Sequence, residues 1–469
     1  MKLKSISVSN YRSIEEVSFI IGPTENGSFT YGLIGVNEAG KSTILKALAL
    51  KDDLITLNPK DYRDKSKKIE ILYSYKLDDA TIHECRSLLG TMQLSREIAD
   101  NALDEAELSI RFEHSNPLLK TTNLVLPKLF IDEKQAVEEL LKQVILDRAH
   151  KSIFWTAEDR YLISQPINLE LFAASPDAVS VPLKNCFKLA DIDDIKGRVI
   201  SLQNDSTEIE YLQRELGESV TKHIKTVWPG HPIEITFVIN NGMIHFHVKD
   251  EDTKGRAKTA DQRSDGFRQF VSFLLTISAQ NKNEELSDTI LLLDEPETHL
   301  HPQAQEELLK ELIKITNNVR NNIAWFATHS NYMIDKQDLS RHYRVKKEGD
   351  KTKISRFEKG VSTYASVTYE VFNIPSTDYH NDLYSMLHER YQDNAPEGVE
   401  NKRWQISDFD EKYLAGEMKQ ERSRPWKKLP NSATLHTYIR NCIHHPDNGG
   451  SYSTDELKQS IDVLRSFIE

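Results

Sequence analysis

The sequence has few cysteines and no long apolar stretch. Its 469 residues include only Cys85, Cys186 and Cys442, and no two of them form a Cys-x-x-Cys pair. Neither a disulfide framework nor a zinc knuckle is therefore supported, which suits a reducing compartment. No apolar run approaches the ~20 residues that cross a bilayer, and the N-terminal residues alternate like a strand instead of forming the apolar core of a signal peptide. We expect a soluble cytoplasmic protein without membrane contacts.

Positive charge is also scarce. The chain has 60 Lys and Arg residues against 72 Asp and Glu residues, a formal net charge of -12. This balance excludes a protein whose whole surface attracts nucleic acid, so any such contact must use local basic patches. Internal repeats, heptad arrays and low-complexity tracts are absent from the sequence as well, and its length predicts two or three domains.

A segment near the N-terminus has the form of a phosphate-binding loop. Residues 35–42 read Gly-Val-Asn-Glu-Ala-Gly-Lys-Ser, after the apolar stretch 31–34 and before an Ala/Leu-rich helical pattern. In this context, backbone amides converge on phosphate oxygens at a helix N-terminus. Lys41 would neutralise the β- and γ-phosphates of ATP, and Ser42 would ligate Mg²⁺. The candidate nucleotide-binding residues are Gly35, Asn37, Gly40, Lys41, Ser42 and Thr43.

A second segment ends an apolar run with two acids. Residues 289–296 read Thr-Ile-Leu-Leu-Leu-Asp-Glu-Pro. Such a run is typical of a buried parallel strand that delivers carboxylates at its C-terminal edge. Asp294 would hold Mg²⁺ through water, and Glu295 would polarise the attacking water as a general base. Together with the phosphate loop, this segment predicts an ATP hydrolase.

Two further segments suit the same chemistry. Ser264 and the backbone near Gly266 precede an apolar helix shortly ahead of the acidic strand, and they would form a second anion site at that helix N-terminus. His329 follows the apolar stretch 324–327 and would hydrogen-bond the γ-phosphate and the catalytic water. An ordinary N-capped helix and a surface histidine are the alternatives.

These four elements, in this order and with the opening Ser-Asn-Tyr-Arg-Ser-Ile at residues 9–14, resemble the head of the RecF, SMC and OLD-like ATPases of the ABC class. The resemblance covers residues 1–90 and 230–340. It implies a homodimer or higher oligomer, in which Ser264 caps the γ-phosphate held by the other head and residues 297–302 contact that head. The segment at Ser264 departs from the usual Leu-Ser-Gly-Gly-Gln form, and the glutamine that couples nucleotide to the arm has no clear counterpart.

The pattern predicts an α/β head with a helical insertion, followed by an all-α domain. The predicted domains are 1–90 as the first lobe of the head, 91–230 as the helical insertion or arm, 231–358 as the rest of the head, and 370–469 as the C-terminal domain. Predicted helices outside the head are 80–89, 94–107, 133–149, an amphipathic arm at 192–227, 378–392, 409–419, 432–443 and 454–468. A hairpin is predicted over 233–240 and 243–248, because Asn-Gly at 241–242 favours a tight turn.

The last hundred residues contain a second candidate site. Arg440, Asn441 and His445 resemble the R-N-x-x-x-H motif of HEPN-type ribonucleases, which implies a small helical domain that cuts RNA without metal. Little more than one helical turn separates Arg440 from His445, so one phosphodiester could meet both an imidazole that moves protons and a guanidinium that holds phosphoryl charge. His444 makes the choice of imidazole ambiguous, although the spacing favours His445. The alternative is a helix C-terminus that favours cations and ends at Pro446.

A basic run at residues 418–428 surrounds Trp426. It would bind an RNA backbone and stack a base, or it is a solvated charge run, and the two interpretations have equal support. The basic residues are Lys419, Arg422, Arg424, Lys427 and Lys428.

The sequence thus predicts an ATP- and Mg²⁺-dependent ATPase that controls a metal-independent endoribonuclease, in a bacterial anti-phage or abortive-infection system. Expected partners are RNA, a second copy of the chain, and an accessory toxin, nuclease or phage-encoded trigger. One alternative is an ATPase sensor that docks a separate nuclease or toxin. The other is a DNA-repair ATPase of the RecF or SMC type.

Overall fold

The computed structural model describes residues 1–90, 107–115, 119–125, 134–156, 158–163, 166–202, 205–227, 233–250, 258–259, 265–280, 286–298, 300–317, 320–357, 363–393, 406–425, 432–448 and 450–468. These residues form two compact units, Met1–Phe357 and Glu358–Glu469. Within the described part of the chain, no helix combines the length and the apolar character needed to cross a membrane.

The strands all belong to the first unit. They are β1 Lys2–Tyr11, β2 Ile14–Ile20, β3 Thr30–Ile34, β4 Ile69–Lys76, β5 Glu107–Ser115, β6 Leu119–Val125, β7 Lys151–Thr156, β8 Ile167–Asn168, β9 Ile233–Asn240, β10 Met243–Asp250, β11 Lys258–Thr259, β12 Thr289–Asp294, β13 Ile323–Thr328, β14 His342–Glu348 and β15 Lys351–Arg356.

The helices occur in both units. They are α1 Lys41–Ala49, α2 Asp79–Leu89, α3 Lys134–Arg148, α4 Leu169–Ala174, α5 Pro176–Val179, α6 Val181–Leu189, α7 Ile195–Ser201, α8 Ser206–Val227, α9 Asp265–Gln280, α10 Pro302–Ile315, α11 Tyr364–Phe372, α12 Thr377–Asp393, α13 Leu435–His444 and α14 Thr454–Ser466. A helical turn Ile406–Asp408 continues as the π-helix Phe409–Glu417.

A six-stranded sheet positions the candidate nucleotide site. Its order is β15-β14-β3-β13-β12-β7, and every pair is parallel except β14 with β15. Each residue of β3, β12 and β13 is buried, as expected of strands covered on both faces. Because these strands are parallel, their carboxyl ends meet at one edge of the sheet, where open α/β folds place their ligands.

The predicted helical insertion over 91–230 also contains strands. β5 and β6 extend the antiparallel sheet β2-β1-β4-β5-β6, and β7 is an edge strand of the parallel sheet. Residues 94–106 of the predicted helix 94–107 lie outside the described residues, while Glu107 begins β5. The strand signal is the alternation of buried Leu108, Ile110 and Phe112, which pack on the sheet with period two. The predicted helices 80–89 and 133–149 correspond to α2 and α3, while α4, α5 and α6 lie where no helix was predicted.

The predicted amphipathic arm is also corrected. Residues 192–227 contain two helices, α7 and α8, and α8 packs against β9 instead of extending away. Its buried residues Leu212, Leu216, Val220 and Ile224 recur at helical spacing and close a second hydrophobic core over the β9–β10 hairpin. That hairpin is confirmed, and its turn residues Asn241 and Gly242 have φ angles of 50° and 72°, as a type I′ turn requires.

The described part of the second unit is helical. Predicted helices at 378–392, 432–443 and 454–468 correspond to α12, α13 and α14, while 409–419 is mainly a π-helix and α11 was not predicted. Buried apolar side chains of these helices form one core. Two buried histidines lie beside it: His380 Nε2 and His436 Nδ1 are 2.9 and 2.6 Å from the Ser460 hydroxyl.

Candidate nucleotide-hydrolysis site

The phosphate loop connects β3 to α1, and its backbone at Gly40 has a conformation that favours glycine. Gly40 immediately precedes α1 with φ 106°, and a Cβ there would lie 2.2 Å from the Thr352 hydroxyl. Lys41 begins the helix and is 4% exposed. Its ammonium donates to the carbonyls of Gly35 and Val36 at 2.8 and 3.0 Å. The loop therefore surrounds the Lys41 ammonium. The backbone amides of the first turn of α1, which have no partners within the helix, lie at the same end of the helix.

The electrostatics of this cation are set by burial and by acids. Desolvation lowers the pKa of Lys41, while the nearby charges of Glu295, Asp294 and Glu297 oppose that shift. A buried ammonium facing carboxylates remains a strong anion ligand, because the same low dielectric strengthens its interaction with phosphate.

Asp294 and Ser42 form the candidate magnesium ligands. Asp294 is 7% exposed at the end of β12, and the nearby Ser42 hydroxyl acts to lower the pKa of its carboxyl. Burial raises the pKa of Asp294, and its Oδ1 atom is enclosed without a hydrogen-bond partner among the described residues. A buried carboxylate oxygen without a partner is costly unless a cation or water satisfies it. Hydroxyl and carboxylate oxygens are the donors that Mg²⁺ prefers, so this pair fits the ion.

Glu295 and His329 meet at the ends of neighbouring strands. Asp294 pairs with Ala327 in the parallel register of β12 and β13, which places the next residues of both strands side by side. His329 Nδ1 lies 3.3 Å from Glu295 Oε1. Glu295 has φ 52°, a left-handed conformation that turns the chain sharply after the strand. Both side chains remain partly accessible, as groups that act on a bound water and phosphate must be.

The predicted loop residues line one pocket of about 230 Å³ together with Glu295. Its lining residues are Ser13, Asn37, Glu38, Gly40, Lys41, Ser42, Thr43, Glu295 and Lys347. Gly35 lies beneath the loop, where a Cβ would be 2.4 Å from the Val345 carbonyl. The structure therefore brings the loop and the acidic strand together.

Lys347 and Ser13 were not predicted as site residues. Lys347 pairs in register with Thr352 on the β14–β15 hairpin, and Thr352 is 2.7 Å from the Ser13 hydroxyl. The hairpin thus adds a second lysine to the pocket besides Lys41. Local sequence holds no signal for this contact, because the hairpin lies about 300 residues beyond the loop and only tertiary packing joins them.

The second predicted anion site is described only in part. Ser264 lies outside the described residues, whereas Gly266 lies in the first turn of α9. The helix begins where the sequence predicts it, so its N-terminal amides are available to an anion. No described residue of α9 lines the pocket of Lys41.

Glu297 is a further residue that sequence reasoning left without a role in the chemistry. It is 2% exposed, and burial raises the pKa of its carboxyl to about 7. The Thr328 hydroxyl donates a hydrogen bond to Glu297 Oε1 across the ends of β12 and β13. An unusual buried acid beside a cleft is the kind of signal that only the folded structure provides.

The second candidate site lies at the end of α13. Arg440 is half-buried and donates a hydrogen bond of 3.1 Å to Asn441 Oδ1, and no described carboxylate pairs with it. His444 and His445 are exposed, and His445 lies just beyond the helix with φ -136°. Desolvation and then the charge of Arg440 lower the pKa of His444. Arg440 and His444 are therefore close, and His444 is an equal candidate to the predicted His445.

The basic run is divided by the structure. Arg422 contacts buried Asp410 at 3.2 Å, and Arg424 pairs with Glu456, so both arginines have structural partners. Trp426, Lys427 and Lys428 lie outside the described residues. The two described arginines are thus explained by packing within the tail.

Comparison with known proteins agrees with the geometry of the first unit. The sequence pattern of the AAA ATPase domain family matches residues 1–156 and 177–334. The chain is 23% identical over 418 residues to the Old nuclease of Escherichia phage P2, covering 81% of this chain and 66% of that protein. It is 25% identical over 172 residues to an uncharacterized protein of Methanocaldococcus jannaschii, covering 35% and 42% of the two chains.

Solved structures with a similar chain course include heads of SMC proteins. An SMC head bound to the C-winged helix domain of ScpA is 12% identical, with a TM-score of 0.45 and coverage of 76% of this chain and 99% of the other. The SMC head domain from Thermotoga maritima is also 12% identical, with a TM-score of 0.36 and coverage of 76% and 100%.

The family match includes the phosphate loop, the acidic strand and the strand that ends at His329, which are the elements that form the pocket. The chain therefore belongs to the AAA ATPase domain family.

Proposed function

We propose that this ATPase hydrolyses ATP at the pocket of Lys41 and thereby controls RNA cleavage by its C-terminal unit, in defence against phage. The contact between Glu295 and His329 carries the hydrolytic part, because it joins a general base to a phosphate-sensing imidazole beside a phosphate loop. The similarity to a phage nuclease supports a link between such heads and nucleic-acid cutting.

Each residue of the pocket has a distinct task in hydrolysis. Lys41 and the loop amides neutralise the phosphate oxygens, while Ser42 and Asp294 would hold Mg²⁺, which would supply positive charge to the phosphates. Glu295 accepts a proton from water as its oxygen bonds to the γ-phosphorus, and the bond from that phosphorus to the ADP oxygen breaks. His329 donates a hydrogen bond to the transferred phosphoryl group. The products are ADP and phosphate.

Two heads would act together. In the resemblance to the RecF, SMC and OLD-like ATPases, a serine at the start of a helix completes the site of the partner head, and Ser264 precedes α9 in the corresponding order. A homodimer that forms around ATP would also bring two C-terminal units close together. Nucleotide state would then decide whether the RNA-cutting sites are complete.

In the tail, the half-buried guanidinium of Arg440 is suited to a phosphodiester. It has no carboxylate partner among the described residues, and it lies one turn before the end of α13. A neighbouring imidazole of His444 or His445 would take the 2′-OH proton as that oxygen bonds to phosphorus, and a proton would go to the departing 5′-oxygen. The products are a 2′,3′-cyclic phosphate and a 5′-hydroxyl, formed without metal.

Incubation of the full-length protein with total RNA, ATP and Mg²⁺ tests both parts. Wild type is expected to release phosphate and shorten RNA, Glu295→Gln to lose phosphate release, and Arg440→Ala to lose only RNA cleavage. Arg440→Lys is the matched control for charge, because it keeps a cation and loses the planar fork. His444→Ala and His445→Ala, compared side by side, identify the imidazole.

Other outcomes distinguish the alternatives. RNA cleavage at an unchanged rate in Lys41→Ala would remove the coupling between the two units. An inactive wild type that copurifies with a nuclease or toxin favours a sensor that docks a separate effector. Stimulation of ATP hydrolysis by DNA ends, with no effect of RNA, favours a DNA-repair ATPase.

A further inference from the structure

The buried carboxyl of Glu297 has no part in the hydrolysis described above, although it lies only two residues beyond Glu295. Its side chain is enclosed between the ends of β12 and β13, with 2% exposure. A carboxyl in such a place is costly to bury, so an apolar side chain of the same volume would suit stability better unless the hydrogen bonds that it accepts are needed.

The hydrogen bond from Thr328 connects Glu297 to the turn that carries His329. Thr328 is fully buried, and its hydroxyl donates to Glu297 while it accepts the backbone N–H of Ser330 at 2.9 Å. A hydroxyl can donate and accept at once, which neither a methyl nor an amide nitrogen can do. Glu297 therefore fixes the residues on both sides of His329 through a single threonine.

The other side of the Thr328–Ser330 turn is held by Gln305, which also follows β12 in the chain. The Ser330 hydroxyl donates to Gln305 Oε1 at 2.5 Å, and Gln305 Nε2 donates to the Leu300 carbonyl at 2.8 Å. Gln305 lies in the first turns of α10, which directly follows the acidic strand and its loop. Glu297 and Gln305 thus hold the 328–330 turn through hydrogen bonds with Thr328 and Ser330.

We propose that Glu297 is a positioning residue for ATP hydrolysis: with Gln305 it holds the Thr328–Ser330 turn so that His329 stays against Glu295. The imidazole itself is exposed, and its 3.3 Å contact with Glu295 is too weak to orient it alone. A turn fixed at both flanks supplies the orientation that the exposed ring lacks. This inference rests on the proposed roles of Glu295 and His329.

Steady-state ATP hydrolysis and nucleotide binding by full-length variants test the proposal. Glu297→Leu keeps the volume and removes the acceptor, and kcat is expected to fall at least tenfold while Kd for ATP changes less than twofold. The Kd is preserved because Lys41 and Ser42 hold the phosphates independently of this turn. Glu297→Gln retains a carbonyl acceptor for the Thr328 hydroxyl and is expected to keep kcat within threefold of wild type.

Thr328→Val removes the same hydrogen bond from the other side. It should lower kcat to a similar extent, and the double variant Glu297→Leu/Thr328→Val should be no slower than the worse single variant, because both changes break one interaction. Thr30→Val is the matched control: its hydroxyl is also fully buried and hydrogen-bonded, to Leu312 and Thr316, but it lies at the opposite end of the sheet. That variant should leave kcat unchanged.

The outcomes separate this proposal from the function on which it rests. A Glu295→Gln protein with full ATPase activity overturns the proposed hydrolytic roles. Loss of activity in Glu295→Gln, with wild-type kcat in Glu297→Leu and Thr328→Val, overturns the positioning role alone. Equal losses in kcat and ATP affinity would also contradict it, because they indicate collapse of the pocket. If Glu297→Leu does not fold, Gln305→Met removes the hydrogen bond to Ser330 instead, and an unchanged kcat in that variant contradicts the proposal.

Discussion

The tail unit contains two buried neutral histidines, and we expect its stability to depend steeply on pH. Desolvation lowers the pKa of His380 to about 3 and that of His436 to about 4. Both rings contact the hydroxyl of Ser460, and a charge on His436 disfavours a charge on His380. In the unfolded chain each imidazole would titrate near ~6.5.

The sign of the effect follows from proton binding. Because the folded pKa values lie below the unfolded value, the unfolded state binds more protons between pH 6.5 and pH 4, and acid favours unfolding. The contribution of each histidine is complete above about pH 7 and declines as pH falls through the unfolded pKa. Between pH 7.5 and pH 5, each ring costs about 2 kcal/mol, so the pair lowers the free energy of unfolding by roughly 4 kcal/mol.

Hydrogen exchange of the full-length protein measures this locally. Peptides from α12, α13 and α14 report the opening free energy of the tail after correction for the intrinsic exchange rate at each pH. The matched variant His380→Gln/His436→Gln has no buried imidazole to titrate and should lose most of the pH dependence. If the opening free energy of the tail changes by less than ~1 kcal/mol between pH 7.5 and pH 5, the two histidines do not control its stability as we expect. An equally steep pH dependence of the opening free energy in His380→Gln/His436→Gln would contradict the same expectation.

Three further predictions concern the nucleotide pocket. Lys347→Ala should raise Kd for ATP about fivefold, since it removes a cation from the pocket wall. The control Lys346→Ala should leave Kd unchanged, and titration with a fluorescent ATP analogue measures both values. Gly40→Ala should abolish nucleotide binding and lower the melting temperature, because φ 106° and the nearby Thr352 hydroxyl exclude a Cβ, and a folded variant with normal ATP affinity would contradict this. Asp294→Asn should reduce kcat at least a hundredfold and make ATP affinity equal in Mg²⁺ and in EDTA, as titration calorimetry would show.

The parts of the fold that the sequence predicts well are those with strong local patterns. The phosphate loop requires glycines and a lysine in a fixed spacing, and the acidic strand is an uninterrupted apolar run that ends in two acids. Both patterns result from local requirements, namely backbone geometry near phosphate and burial on both faces of a parallel sheet. The Asn241-Gly242 turn is another such case, because its two positive φ angles are a property of the dipeptide.

Predictions failed where pairing decides structure. β5 and β6 have strand periodicity, but their mixed charges resemble those of exposed helices, and only their place beside β4 makes them strands. The 192–227 segment has the amphipathic pattern of an arm, and the same apolar face instead covers the β9–β10 hairpin. An apolar stripe states that a face is buried, but it does not identify the partner.

Local sequence patterns were sufficient to predict the phosphate loop, the acidic strand end and the helices in the described part of the tail, because each of these features is encoded within a short window. Tertiary structure alone decided that Glu295 meets His329, that Lys347 reaches the pocket, and that Glu297 is enclosed beside Thr328. Those contacts join residues far apart in the chain, and their chemistry arises from distance and desolvation, which no single window contains.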